Sequence, residues 1–241
     1  MMEKNSPKIL NNEYWIEMQP QFTNPDIKAV FSYRSFPTNG EDGRRLFAKK
    51  VGLNYQNLII PRQTHSTNVN FFSSADTVQD CDGVFTKIEN NVCTIQVADC
   101  MPVYFAHSSE NVFGLVHAGW RGLVNGILDR SANLIKKEGY DLSDFEIIIG
   151  PSIQNCCFEV GNDIINNFKI EFVTPIDNAG KYKVDLQMHA FNDLQDIGFE
   201  KINISISTDC TYCEVEKYHS YRRDGEISGR MIGLIGSGKL D

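Results

Sequence analysis

The chain is short of positive charge: 23 lysines and arginines face 31 aspartates and glutamates, a formal net charge of −8 at pH 7. Such a chain repels a phosphate backbone unless cations cluster locally, which argues against a nucleic-acid polymer as partner. Long hydrophobic runs are also missing. The opening MMEKNSPKIL has no sustained apolar core of a secretion signal, and runs such as Ile147 to Ile149 fall far short of the roughly 20 residues that cross a bilayer. No membrane partner is expected, and the expected location is cytoplasmic.

No Pro/Gly/Ser linker, low-complexity tract or repeat divides the chain. One domain over 1–241 is therefore expected, with 1–28 as an irregular N-terminal segment; no motif specifies an oligomeric state. The seven cysteines are an odd number in a chain without a signal peptide, so they are read as reduced thiols rather than a disulfide framework. Cys210 and Cys213 have C-x-x-C spacing, but no second such pair occurs and a thioredoxin-like βαβ context is absent, so a redox role is not expected. The H-x-E and P-C-x-x-C elements of zinc nucleobase deaminases are absent too.

Present instead are short runs rich in β-branched and aromatic residues. NLIIP, VCTIQVA (92–98), VYFA (103–106), VFGLVH (112–117), FEIIIG (145–150) and INISIST (202–208) read as strands. FPTNGEDG (36–43) reads as an exposed loop, followed by a short helix over 44–51 that Gly52 closes. Helical periodicity predicts 123–138, stopped by Gly139, and 185–197, with Asp185 as N-cap and Gly198 as stop. Strands and helices mix without strict alternation, which favours α+β over a doubly wound sheet.

Three of these strands deliver a metal-ligating side chain at or just beyond their ends: His65 in PRQTHS, Cys100 in VADCMP and His117 in GLVHAGWRG. Two imidazoles and a thiolate suit zinc, and three protein ligands leave a fourth position open, as in catalytic sites. The same residues also fit a metal-free site with Cys100 as nucleophile and His117 or His65 as base, and their spacing matches no zinc finger. Gly119 and Gly122 permit close backbone approach, and the helix that follows offers N–H groups to an anion near Arg121. If residues 98–100 are extended, the Asp99 side chain points away from Cys100, and Asp99 is read as a cap or brace of the turn. Trp120 is assigned to packing. Arg222, Arg223 and Arg230 either pair with acidic neighbours or line an anion site.

Taken together, RQTHS, CDGVFT, VADCMPVYF, GLVHAGWRG, IGPSIQNCCFEVG and HSYRRDGEISGRM resemble, in order, the motifs of the YfiH/laccase-domain family, over residues 31–236. The resemblance implies a single-domain mixed α/β sandwich of the YfiH-like type. It implies zinc held by His65, Cys100 and His117, which are also the expected catalytic residues. The implied activity is phosphorolysis of adenosine, inosine, guanosine and methylthioadenosine with phosphate, together with adenosine deamination. Arg44, Gln63, Arg222 and Arg230 are the residues expected to bind purine nucleoside and phosphate. The family's usual Asn-Arg before its helix reads Gly43-Arg44 here, so one wall of the expected pocket departs from the pattern.

The family has also carried polyphenol oxidase and cysteine-hydrolase labels. A multicopper centre consumes many imidazoles, and only five histidines occur, with His107, His189 and His219 outside the ligand motifs. Copper in a His₂Cys site is the lesser alternative to zinc. A Cys-His amide hydrolase and a nucleoside-binding module with structural zinc are the remaining rivals.

Overall fold

The computed structural model describes residues 13–36, 40–176 and 180–238. The first half contains β1 (Trp15–Glu17), β2 (Ile27–Ser32), α1 (Gly40–Lys50), β3 (Leu58–Pro61), β4 (Val69–Phe71), β5 (Thr77–Val78), β6 (Gly83–Thr86), β7 (Val92–Val97), β8 (Met101–His107) and β9 (Phe113–Ala118). Then come α2 (Trp120–Val124), α3 (Ile127–Lys137), β10 (Phe145–Ile149), β11 (Glu159–Gly161), β12 (Val173–Pro175), β13 (Lys181–Val184), α4 (Leu186–Ile197), β14 (Ile204–Ile206), α5 (Tyr221–Asp224) and β15 (Met231–Ser237).

Two six-stranded mixed sheets run in the orders β1-β2-β15-β7-β3-β5 and β14-β10-β8-β9-β6-β4, and β11-β13-β12 form a small third sheet. Ile95 and Val97 of the first large sheet pack with Tyr104 and Leu115 of the second in one core between them. A second core lies outside β8 and β10, where Ile127, Ala132 and Ile135 of α3 meet Ala190 and Leu194 of α4. On the opposite face, Phe47 and Ala48 of α1 pack with Ile232 and Leu234. Central strands covered on both faces need no polar alternation, so β8, β9 and β15 are buried along their whole length. The fold is thus the expected mixed α/β sandwich.

Several local expectations need correction. Residues before 29 are not uniformly irregular, because Trp15 pairs with Ser32 in an antiparallel β1/β2 ladder; residues 1–12 lie outside the described residues. Helix α1 begins at Gly40 rather than Arg44, so part of FPTNGEDG is helical, while 37–39 lie outside the described residues. The helix expected over 123–138 is two helices. Asn125 ends α2 with its amide donating to Arg121 O at 2.8 Å, and Gly126 reverses the chain at φ +85°. Capping of α4 follows the sequence, since Asp185 accepts from Met188 N at 3.0 Å.

Candidate active site

The connection from β7 to β8, residues 98–100, carries the chain from one large sheet to the other. Cys100 sits in that connection, His117 at the end of neighbouring β9, and His65 in the loop after β3. All three side chains meet: their ligand atoms lie within 4.8 Å of one another, and Cys100 Sγ is 3.8 Å from His65 Nε2. Tetrahedral zinc bonded to sulfur at about 2.3 Å and nitrogen at about 2.05 Å sets sulfur and nitrogen about 3.6 Å apart. The cluster therefore fits a cation with little adjustment.

A buried carboxylate organises it. Asp82 accepts hydrogen bonds from the backbone N–H groups of Thr64, His65 and Ser66 at 3.1, 3.1 and 2.7 Å, and from Ser66 Oγ at 2.7 Å. These bonds hold His65 at φ +60°, a left-handed conformation that non-glycine residues adopt rarely. Asp82 Oδ1 also lies 2.7 Å from His117 Nδ1, fixing that nitrogen as the donor and leaving Nε2 for a metal. Burial works against the Asp82 charge, but the bonds from His117 and Ser66 win and hold its carboxyl far below the usual range. Burial likewise opposes charge on Cys100 and His117. The imidazoles nevertheless bring the Cys100 thiol down to about 6, and the Cys100 thiolate and Asp82 push His117 up to about 9.

Close approach at the cluster depends on glycine. A Cβ on Gly119 would stand 2.9 Å from His65 Cδ2 and 3.0 Å from Cys100 Sγ, and one on Gly122 would stand 3.2 Å from Ser66 O. Asp99 is not extended, since its φ is +81°, but it does brace the turn. It accepts from Thr211 Oγ1 at 2.7 Å, Ser220 Oγ at 3.0 Å and Arg222 N at 2.7 Å.

The cluster lies in a cleft of 920 Å³ whose walls include Arg44, Gln63, Trp120, Phe158, Arg222 and Arg230. Arg44 is buried and donates to Thr94 Oγ1 at 2.7 Å and Gln96 Oε1 at 3.5 Å. Burial against these neutral partners pulls its guanidinium down to about 10. Arg222 stacks 5.2 Å from the Phe158 ring and donates to Glu159 O at 2.9 Å. Arg230 donates to Ser228 O at 2.7 Å. Arg223 serves the fold instead, pairing with Asp224 and with the carbonyls of Thr211, Tyr212 and Tyr218. Gln63 lines the cleft with both ends of its amide engaged by the Gln96 backbone at 2.8 Å. Trp120 packs on Phe168 with Arg121 over its ring.

Asp82 is the main residue that sequence reasoning missed. Its only signal was its place in CDGVFT, because a carboxylate far along the chain from its partners has no local pattern.

The family model described as multi-copper polyphenol oxidoreductase laccase matches residues 21–238. A purine nucleoside phosphorylase of Haemophilus influenzae is 35% identical over 199 residues, 80% of this chain and 79% of that protein. Adenosine deaminase RL5, from an unknown prokaryotic organism, is 30% identical over 207 residues, 79% of each chain. Among solved structures, YlmD from Geobacillus stearothermophilus superposes with a TM-score of 0.86 at 24% identity, over 99% of this chain and 98% of that one. With its sandwich fold and its ordered motifs matched across almost the whole described length, the chain belongs to the YfiH/laccase-domain family.

Proposed function

We propose that this chain is a zinc enzyme that phosphorolyses purine nucleosides to free base and ribose 1-phosphate and also deaminates adenosine. The observation that carries this reading is the His65, Cys100 and His117 cluster inside a cleft whose walls include Arg44, Arg222 and Arg230. The names of the relatives point the same way.

In this reading His65, Cys100 and His117 hold the zinc and are the catalytic set, with Asp82 orienting His117. Zinc held by these three residues would supply Lewis acidity and a water of lowered pKa, the chemistry that hydrolytic loss of ammonia from purine C6 calls for. Arg44, Arg222 and Arg230 bind phosphate and ribose. In phosphorolysis a phosphate oxygen bonds C1′ as the bond to N9 breaks, and the departing base carries the electron pair and takes a proton. The arginines place phosphate and offset its charge, while Trp120 and Phe158 exclude water around the base. Gln63 acts by bracing β7, the strand before Cys100, against the loop that carries His65. Thiol ligands and free cysteines suit a reducing compartment, so we place the protein in the cytoplasm.

The family description favours a second reading, phenol oxidation with copper. Among the described residues, the two groups able to hold a metal contain two imidazoles in all, too few for a multicopper centre. Metal-free amide hydrolysis by Cys100 and His117 is a third. The test is to strip the protein of metal and reload it with zinc or copper alone. The proposal expects nucleoside turnover with zinc and none after chelation. Phenol oxidation confined to the copper form would assign the oxidase, and amide cleavage that survives chelation would assign the hydrolase.

A further inference from the structure

Four cysteines outside the active site meet at one point. Cys156 and Cys157 lie in the loop after β10, Cys210 and Cys213 in the segment after β14, and their four sulfurs all lie within 4.8 Å of one another. The Cys156 sulfur is 3.5 Å from that of Cys157, 3.7 Å from Cys210 and 3.8 Å from Cys213, and Cys157 to Cys213 is 3.3 Å. Four thiolates bonded to one tetrahedral zinc at about 2.3 Å stand about 3.8 Å apart. Disulfides would join the sulfurs in pairs at about 2.05 Å, whereas all four cysteines are free thiols here. Cys156 instead has all three other sulfurs at 3.5 to 3.8 Å, close to the tetrahedral edge length, and Cys157 and Cys213 close another edge at 3.3 Å.

The backbone is already shaped for this. Cys157 N and Phe158 N both donate to Gln154 O at 2.9 Å, turning the adjacent cysteines inward. Opposite them, Glu214 N donates to Cys210 O at 2.9 Å and closes the Cys210–Cys213 turn. Gln154 N points at Cys210 Sγ from 3.5 Å, the kind of backbone donor that supports a ligating thiolate. The C-x-x-C pair lacks a second such pair in sequence, and the adjacent Cys156 and Cys157 take its place in space.

We infer that Cys156, Cys157, Cys210 and Cys213 form a second metal site, a closed tetrathiolate that holds structural zinc. With no position left open, it takes no part in turnover chemistry. It fastens the loop bearing Ile153 and Phe158 to the segment leading to Arg222, which itself donates to Cys157 O at 3.4 Å. The site thereby sets one wall of the cleft from behind.

The test is zinc stoichiometry of the full-length protein and its variants. Wild type is expected to hold two equivalents, Cys213→Ser one, and Cys100→Ser one. Cobalt in Cys100→Ser should give the intense sulfur-to-metal charge-transfer bands of a tetrathiolate. A wild type that holds one equivalent, lost entirely in Cys100→Ser, would overturn the site, as would a Cys213→Ser protein that keeps two. Should Cys213→Ser fail to fold, thiol counting on native Cys100→Ser decides: chelation should expose the four cysteines to a thiol reagent, and an unchanged count contradicts the proposal. A mass two hydrogens low, showing a disulfide among these four in freshly purified protein, also contradicts it.

Discussion

His117 and Asp82 form a buried pair, with imidazole Nδ1 2.7 Å from carboxylate Oδ1. Because Asp82 also ties down the turn bearing His65, one carboxylate sets the direction of two side chains of the cluster, one from a strand and one from a loop. Asp82→Asn should lower zinc affinity at the active site by roughly 10–100-fold. Competition against a chromophoric chelator measures it, and an unchanged affinity would show that the cluster does not depend on this carboxylate.

Gly119 separates folding from metal binding. Its backbone, at φ −70° and ψ 164°, is open to any residue, so Gly119→Ala strains the ligands rather than the chain. The added methyl group would press on His65 and Cys100. We expect a folded protein with a melting temperature within a few degrees of wild type and one fewer bound zinc. Full zinc content in a folded Gly119→Ala protein would place the metal elsewhere.

Arg44 is predicted to hold phosphate. Lysine keeps the charge but loses the planar fork that also reaches Thr94 and Gln96. Loss of one charge-assisted hydrogen bond is worth about 1.5–3 kcal/mol, so the phosphate KM of Arg44→Lys should rise roughly 10–100-fold. Adenosine deamination, which uses no phosphate, should change far less. Equal loss of both reactions would mean that Arg44 supports the cleft generally.

The strands that lead to the cluster, β3, β7 and β9, were legible because they are buried on both faces and read as short apolar runs. β15 was not, although it lies between β2 and β7. Its Gly233 lowers strand propensity, yet a Cβ there would stand 2.9 Å from Tyr104 Oη of the facing sheet. The trio of His65, Cys100 and His117 was visible as residue types at or just beyond strand ends, and Arg222, Arg223 and Arg230 as a charge cluster. Asp82 and the four-cysteine cluster were not, because each depends on contacts between segments distant in sequence, and C-x-x-C alone gave no hint of where its partners lie.

Asp193 gives a pH-dependent prediction. Burial raises its carboxyl, but bonds from His189 and Lys169 outweigh that and hold it below the usual range. A depressed carboxyl stabilises the fold above the unfolded pKa of about 3.9 and loses that contribution as pH falls through the folded value. Asp193→Asn should therefore cost about 0.5–1 kcal/mol at neutral pH, allowing for solvent screening. Urea denaturation at pH 7 and again near pH 3 should show the gap closing in acid; a constant gap would mean that the charge contributes nothing.

The central claim is most directly tested by following adenosine and inosine by product-resolving chromatography, with and without phosphate, using wild type and Cys100→Ser at known zinc content. The account predicts phosphate-dependent release of free base and ribose 1-phosphate by wild type, lost in the variant. No nucleoside turnover by fully zinc-loaded wild type would contradict it.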